Sequence, residues 1–188
     1  MPNYDEIKNL LEIISAMREP YDHHGGRVAG YAMSLAKTLE LPVEQVELIA
    51  WGAHLHDIGK FLIRTDLLNS PRKYAEAERA EVRTHAILGW EVVHKAGYDE
   101  VIQQIVRHHH ECWDGKGYPD GLQAEAIPLG ARIVGICDCY EALTSQRSYR
   151  KAYSHNFAMA FIQKDKGTVY DAQLVDLFFE KVAIDAKS

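Results

Sequence analysis

Cysteine is scarce and odd in number: Cys112, Cys137 and Cys139 are the three in 188 residues. Cys137 and Cys139 stand too close to bridge readily, so a disulfide-stapled secreted scaffold is excluded and a reducing, cytoplasmic setting is expected. No apolar run approaches the roughly 20 residues that a membrane-spanning helix needs. The first residues, MPNYDEIKNL, carry acids where a signal peptide carries positive charge. Basic residues are in deficit, 21 against 27 acids, for a net charge of −6. That balance excludes long-range attraction to long nucleic acid or to an anionic membrane. An anionic substrate has to be caught by a local cluster of cations or metals. There is no internal repeat, no low-complexity tract and no alternation of period two. With 47% hydrophobic and 26% charged residues, the composition is that of one ordered globular domain.

What the chain has is helical spacing. Ile7, Leu10, Leu11, Ile14 and Met17 form one stripe, a leading helix ended by Pro20. Val28, Tyr31, Ala32, Leu35, Ala36 and Leu39 form a second, closed by Leu41-Pro42. A third runs from Val43 through Val46, Ile49 and Ala53 to Ile58-Gly59. Phe61 to about Tyr74 reads as loop, with Asn69-Ser70-Pro71 inside it. The pattern resumes near Ala77 and runs to Lys95, with Gly97 as C-cap. Asp99 is expected to cap a helix over 101–110, and Pro128 to start one reaching Thr144. Shorter helices follow over 154–164 and 171–182. Between them, Trp113-Asp-Gly-Lys-Gly-Tyr-Pro-Asp-Gly121 has to be a tight irregular loop. The expectation is a single compact all-α domain of about seven to eight helices.

Histidine is the abundant residue, with ten copies, seven of them between His54 and His110. His56-Asp57 ends an apolar helix. Neighbours on a helix diverge by about 100°, so such a pair suits a helix end and two neighbouring metals. A carboxylate has two oxygens and bridges two cations; a neutral imidazole binds one. Lys60 lies on the same side, at i+4 from His56 and i+3 from Asp57. His109 extends the buried stripe of Ile102, Ile105 and Val106, and Asp138 shares a face with Ala131, Val134 and Ala142. Imidazole and carboxylate on such faces need strong partners, which metals supply. His24, His56-Asp57, His85, His109-His110 and Asp138, on five expected helices, therefore form a candidate metal cluster. His94 and His155 are expected to face solvent, His54 to support rather than bind, and His23 and His108 to be spacers.

These residues carry a family resemblance. The runs His24-x-x-Arg27-Val28, His56-Asp57-Ile58-Gly59-Lys60, His85-x-x-x-Gly89, His109-His110-Glu111-x-Trp113-Asp114-Gly115-x-Gly117-Tyr118-Pro119 and Asp138-x-x-Glu141-Ala142-Leu143-Thr144-Ser145-x-Arg147-x-Tyr149-Arg150 resemble the HD-GYP branch of the HD phosphohydrolase superfamily. The resemblance covers about 18 to 180, and so implies one HD-GYP domain over 1–188, with a leading helix over 1–18 and a catalytic helical domain over about 20–183. It implies a dinuclear or trinuclear metal site in the core, and hydrolysis of cyclic di-GMP to pGpG and in some members GMP, in bacterial second-messenger signalling. The implied ligands are His24, His56, Asp57, His85, His109, His110 and Asp138, with Asp57 bridging. Lys60 is implied at the scissile phosphate, and Arg147 and Arg150 as the substrate grip. The loop of Gly117, Tyr118 and Pro119 is implied to brace the site and to meet a GGDEF-domain or other signalling protein.

Members with a third metal place Glu four residues before the first His; here Pro20 stands there, with Glu19 and Asp22 out of register. Two divalent ions are therefore expected: iron or manganese first, with nickel, cobalt, zinc or magnesium as further candidates. Cys112, Glu141 and Ser148 replace residues that are usually basic, Asp and Pro. The implied chemistry is in-line attack on phosphorus, with the cations activating water and neutralising the phosphoryl oxygens. Lys60, Arg147 and Arg150 add positive charge and a planar fork for the anion. Two alternatives stay open: a phosphohydrolase for another nucleotide, such as cyclic GMP-AMP or a mononucleotide, and a non-catalytic cyclic di-GMP receptor or partner-binding module. Homodimerisation is open as well.

Overall fold

The computed structural model describes residues 24–68, 72–146 and 151–185. The expected leading helix, the Asn69-Ser70-Pro71 turn, His23, Arg147 and Arg150 lie outside these residues. Helical periodicity becomes helix along the described chain. The elements are α1 (His24–Thr38), α2 (Val43–Leu55), a 3-10 segment (Ile58–Leu62), the short α3 (Thr65–Leu68), α4 (Glu76–Arg83), α5 (His85–Lys95) and α6 (Glu100–His108). A second 3-10 turn (Ala124–Ala126) leads to α7 (Leu129–Thr144), α8 (His155–Lys164) and α9 (Ala172–Asp185). Among the described residues there is no β-strand, only an isolated bridge between Lys166 and Tyr170. No helix there is long and apolar enough to cross a membrane.

The polar signals set the helix ends. Asp99 caps α6, its Oδ1 accepting from Val101 N at 2.9 Å, and Ser154 caps α8, its hydroxyl accepting from Phe157 N at 3.3 Å. The expected helix from 77 to 95 is instead two, α4 and α5. Thr84 between them has φ −64 and ψ −15, close to helical, so the break bends the path while leaving the apolar period almost in phase. The Thr84 hydroxyl donates to Glu81 O at 2.6 Å and stabilises the bend. The stretch expected as loop after Phe61 contains α3, whose Leu67 is buried.

Two apolar clusters organise the helices. In the larger one Val28 and Leu35 of α1 meet Ile49 and Ala53 of α2, Ile105 of α6, Ile133 and Val134 of α7, Ile162 of α8 and Phe178 of α9. The smaller joins Leu55 and Ile58 to Val93, Tyr98, Ile102 and Val106. α2 packs against α1 on one side and α6 on the other, and α7 crosses both α1 and α6. The C-terminal end of α2 and the first turns of α1 and α5 thereby converge.

Gly59 makes the closest of these approaches. A Cβ there would lie 2.0 Å from His85 O and 2.5 Å from Gly89 N, both backbone atoms that cannot swing aside. The absence of a side chain lets the 3-10 segment dock on α5 and sets Asp57 beside His85. Gly59→Ala is expected to destabilise the fold by at least about 2 kcal/mol through overpacking and to lower bound metal in parallel. Denaturant unfolding and metal analysis of the purified variant measure both, and a variant of parental stability would contradict the packing account.

Candidate metal centre

Several of the ligand candidates sit at helix ends, where backbone direction changes, while Asp138 lies within α7. α2 stops at Leu55, His56 occupies its C-cap, and Asp57 follows with φ −97 and ψ 8. His85 opens α5, and His24 is the first described residue of α1. α6 ends at His108, leaving His109 in its C-cap and His110 just beyond. Adjacent residues that would diverge within a helix can therefore serve one pocket.

Second partners fix the imidazoles. His56, His85 and His109 are 1%, 1% and 3% exposed, so each ring nitrogen must be accounted for. Nδ1 faces the carbonyl three residues back: Ala53 O at 2.6 Å for His56, Val82 O at 2.7 Å for His85 and Val106 O at 3.0 Å for His109. A carbonyl only accepts, so Nδ1 carries the proton, and Nε2 is turned to the pocket as a ligand atom. His24 Nδ1 is hydrogen-bonded to Glu141 Oε2.

Asp57 stands between two groups of imidazoles. Its Oδ1 is 3.4 Å from His85 Nε2 and 4.0 Å from His109 Nε2. Its Oδ2 is 3.4 Å from His56 Nε2 and 3.9 Å from His24 Nε2. Asp57, His85, His109 and His110 offer ligand atoms within 4.8 Å of one another, and so do His24, His56 and Asp57. Asp138 Oδ1 joins the second group, at 3.1 Å from His24 Nε2 and 3.7 Å from His56 Nε2. His56 Nε2 and Asp57 Oδ1 are buried with no hydrogen-bond partner. Orphaned, convergent nitrogen and oxygen donors of this kind fit divalent cations. All seven expected ligands are thus gathered, and Lys60 Nζ lies 2.5 Å from Asp57 Oδ2.

The protein charges are unevenly balanced. Burial opposes protonation of His24 and His56. The carboxylates of Asp138, Glu141 and Asp57 outweigh it at His24, raising that imidazole to about 9, and those of Asp57 and Asp138 outweigh it at His56. Burial would raise the Asp57 and Asp138 carboxyls, yet the surrounding cationic groups hold both well below the usual range. His109 and His110 are lowered, first by burial and then by neighbouring imidazoles, His110 to about 3. The pocket thus holds ionised carboxylates with two imidazoles, His24 and His56, drawn toward protonation, and three, His85, His109 and His110, that burial keeps neutral and able to donate a lone pair to a cation.

Some supporting residues escaped the sequence reading. Glu141, noted only as a departure, is 1% exposed. Besides His24 it takes hydrogen bonds from Arg27 Nε at 2.6 Å and Ser145 Oγ at 2.5 Å. Burial would raise its carboxyl, but His24, Ser145 and Arg27 bring it down to about 2. Like Asp138, Glu141 is an acid on an apolar helix face, one turn later, and needs a strong partner for the same reason. Glu111 latches the glycine-rich loop, Oε1 accepting from Asp120 N at 2.7 Å and Gly121 N at 3.0 Å. His108 is a brace and not a spacer, its Nε2 at 2.8 Å from Asp120 Oδ2 beside Arg107 Nε, also at 2.8 Å. Within this loop the Tyr118 ring stacks on His110, with centroids 4.8 Å apart. His94 is exposed as expected, whereas half-buried His155 meets the Tyr140 hydroxyl at 2.9 Å. A cavity of about 280 Å³ opens on the loop side of the cluster, lined by His110, Asp138, Tyr118 and Arg83 among others.

The HD domain family model matches residues 8–174. The chain is 38% identical over 152 residues to the cyclic di-GMP phosphodiesterase response regulator RpfG of Xanthomonas campestris, covering 80% of this chain and 40% of that protein. It is 39% identical over 191 residues to a probable cyclic di-GMP phosphodiesterase of Vibrio cholerae, covering 93% and 43%. It is 32% identical over 176 residues to the 3'3'-cGAMP-specific phosphodiesterase 2 of Vibrio cholerae, covering 93% and 34%. The chain thus spans less than half the length of these relatives. Among solved structures, an HDG"Y"P protein of Bdellovibrio bacteriovorus superimposes with a TM-score of 0.71 at 21% identity, covering 96% of this chain and 58% of that one; this likeness is one of fold.

Glu141→Ala is expected to lower metal affinity by about 10–100-fold, because His24 loses the partner that orients its ring. Competition with a metallochromic chelator measures this, and unchanged affinity would contradict the orienting role.

Proposed function

The chain belongs to the HD domain family, and on that premise we propose that it is a metal-dependent phosphodiesterase whose substrate is a cyclic dinucleotide, cyclic di-GMP first, opened to linear pGpG and then cut to GMP where turnover continues. The observation that carries this reading is Asp57, with one oxygen toward His85 and His109 and the other toward His56 and His24. That geometry suits two ions, with iron or manganese the first choice for a mixed imidazole and carboxylate set. Divalent ions held there supply Lewis acidity to the phosphoryl oxygens and lower the pKa of water.

The chain's own residues do the rest. His56, His85 and His109, each held at Nδ1 by a backbone carbonyl, keep Nε2 aimed without reorganisation during the reaction. Lys60, on the 3-10 segment beside Asp57, places its ammonium where the entering phosphodiester arrives and offsets charge that grows on the phosphoryl oxygens. Tyr118 keeps the His110 ring in place by stacking. Arg147 and Arg150, outside the described residues, are assigned to the substrate by the family pattern. The relatives' names favour cyclic GMP-AMP as a second substrate reading, since one named for it aligns with 93% of this chain. A cytoplasmic site of action fits the three free thiols, and the glycine-rich loop is assigned as the face that a GGDEF-domain protein would touch.

The test is metal analysis after reconstitution with iron or manganese, paired with turnover of cyclic di-GMP and cyclic GMP-AMP. Asp57→Ala is expected to abolish turnover and lower bound metal; full activity with retained metal would refute the bridging role. Binding of either dinucleotide without hydrolysis across several metals would favour the receptor reading instead. Arg147→Ala is expected to raise KM for the cyclic dinucleotide far more than for bis-p-nitrophenyl phosphate, and equal changes would remove it from the substrate grip.

A further inference from the structure

Most cations around this pocket are already committed to acids. Lys60 pairs with Asp57, Arg27 with Glu141, Arg132 with Asp171 and Lys116 with Asp114. Arg83 is different. It is the last residue of α4 and exposed, and among the described residues its guanidinium has no hydrogen-bond or ion-pair partner. Instead its Cζ sits 5.2 Å from the centroid of the Tyr118 ring. A contact with a ring face uses the charge and leaves the five N–H donors unspent. Tyr118 in turn stacks on His110, and Arg83 lines the same cavity as His110 and Asp138. A cation with unspent donors is therefore braced, through one aromatic ring, beside the metal cluster.

A cyclic dinucleotide carries two phosphodiesters in one small ring. When the scissile one is at Asp57 and Lys60, the other anion is necessarily close by, in surroundings that already contain the carboxylates of Asp138 and Glu141. We infer that Arg83 binds this second, non-scissile phosphodiester and so selects substrates with two linked phosphates over single phosphodiesters. The inference rests on the cyclic-dinucleotide reading above. Guanidinium suits the task because its planar fork donates to two phosphate oxygens at once. The position also explains why α4 has to break from α5 at Thr84: the bend lets His85 turn into the cluster while Arg83, two residues earlier, faces the cavity.

The test uses the metal-loaded full chain and three ligands that differ at the second phosphate. Cyclic di-GMP and pGpG both carry one; GpG has the same two guanosines and a single phosphodiester. Arg83→Ala is expected to raise KM for cyclic di-GMP and the inhibition constant of pGpG about tenfold, with kcat within about twofold. The inhibition constant of GpG and KM for bis-p-nitrophenyl phosphate should move by less than about twofold. Arg83→Lys, which keeps the charge and loses the fork, should recover part of the loss. Equal weakening of GpG and pGpG would make Arg83 a packing or base contact and overturn the proposal, as would an unchanged KM for cyclic di-GMP. If the parent protein cleaves bis-p-nitrophenyl phosphate but neither cyclic dinucleotide, the substrate reading itself falls and the proposal with it. A competent parent with an indifferent Arg83→Ala variant refutes the role of Arg83 alone.

Discussion

The architecture is organised around one carboxylate whose second oxygen has no hydrogen-bond partner among the described residues. Asp57 has Lys60 on one oxygen and a buried, partnerless second oxygen facing two imidazoles. Lys60 and the neighbouring imidazoles keep the acid ionised, but a buried oxygen without a hydrogen bond is costly, and a cation from outside the polypeptide would satisfy it. The packing around it serves that need: Gly59 removes the side chain that would keep Asp57 from α5, and the three backbone-anchored imidazoles cannot turn away to satisfy themselves elsewhere.

Helix termini are the means by which a helical bundle builds such a pocket. The interior of a helix presents one residue in three or four to a given neighbour, too sparse for seven donors. The end of a helix releases consecutive residues into different directions, and here His56-Asp57 and His109-His110 use that release. The last carbonyls of a helix also lack partners of their own. Ala53 and Val106 supply theirs to the Nδ1 protons of His56 and His109, so one local defect of the backbone answers another of the side chain.

Much of this was legible in the amino-acid order. Apolar spacing marked the helices, Asp99 and Pro128 their starts, and the buried stripe ending in His109 its place in the core. The break at Thr84 was hidden because a near-helical residue preserves the period on both sides. Glu141 was hidden for another reason: an acid replaced by a longer acid looks conservative, and only the observed distances reveal that it orients His24. His108 looked like a spacer because its partner, Asp120, sits in an irregular loop whose path no periodicity records. Arg83 belongs to the same class, since an exposed cation near the end of a helix carries no pattern of its own.

The scatter of the donors along the chain has a thermodynamic side. His24 lies on the first described helix and Asp138 on the seventh, with the others distributed between. A cation seated among them fastens segments that are remote in sequence, and no short stretch of unfolded chain can reproduce that grip. Loading would therefore be coupled to the integrity of the whole bundle: occupancy would stabilise the native state by mass action, and the loosening of any one contributing helix would weaken the hold on the ion. In such a molecule the supply of metal in its surroundings would bear on how long the folded chain persists.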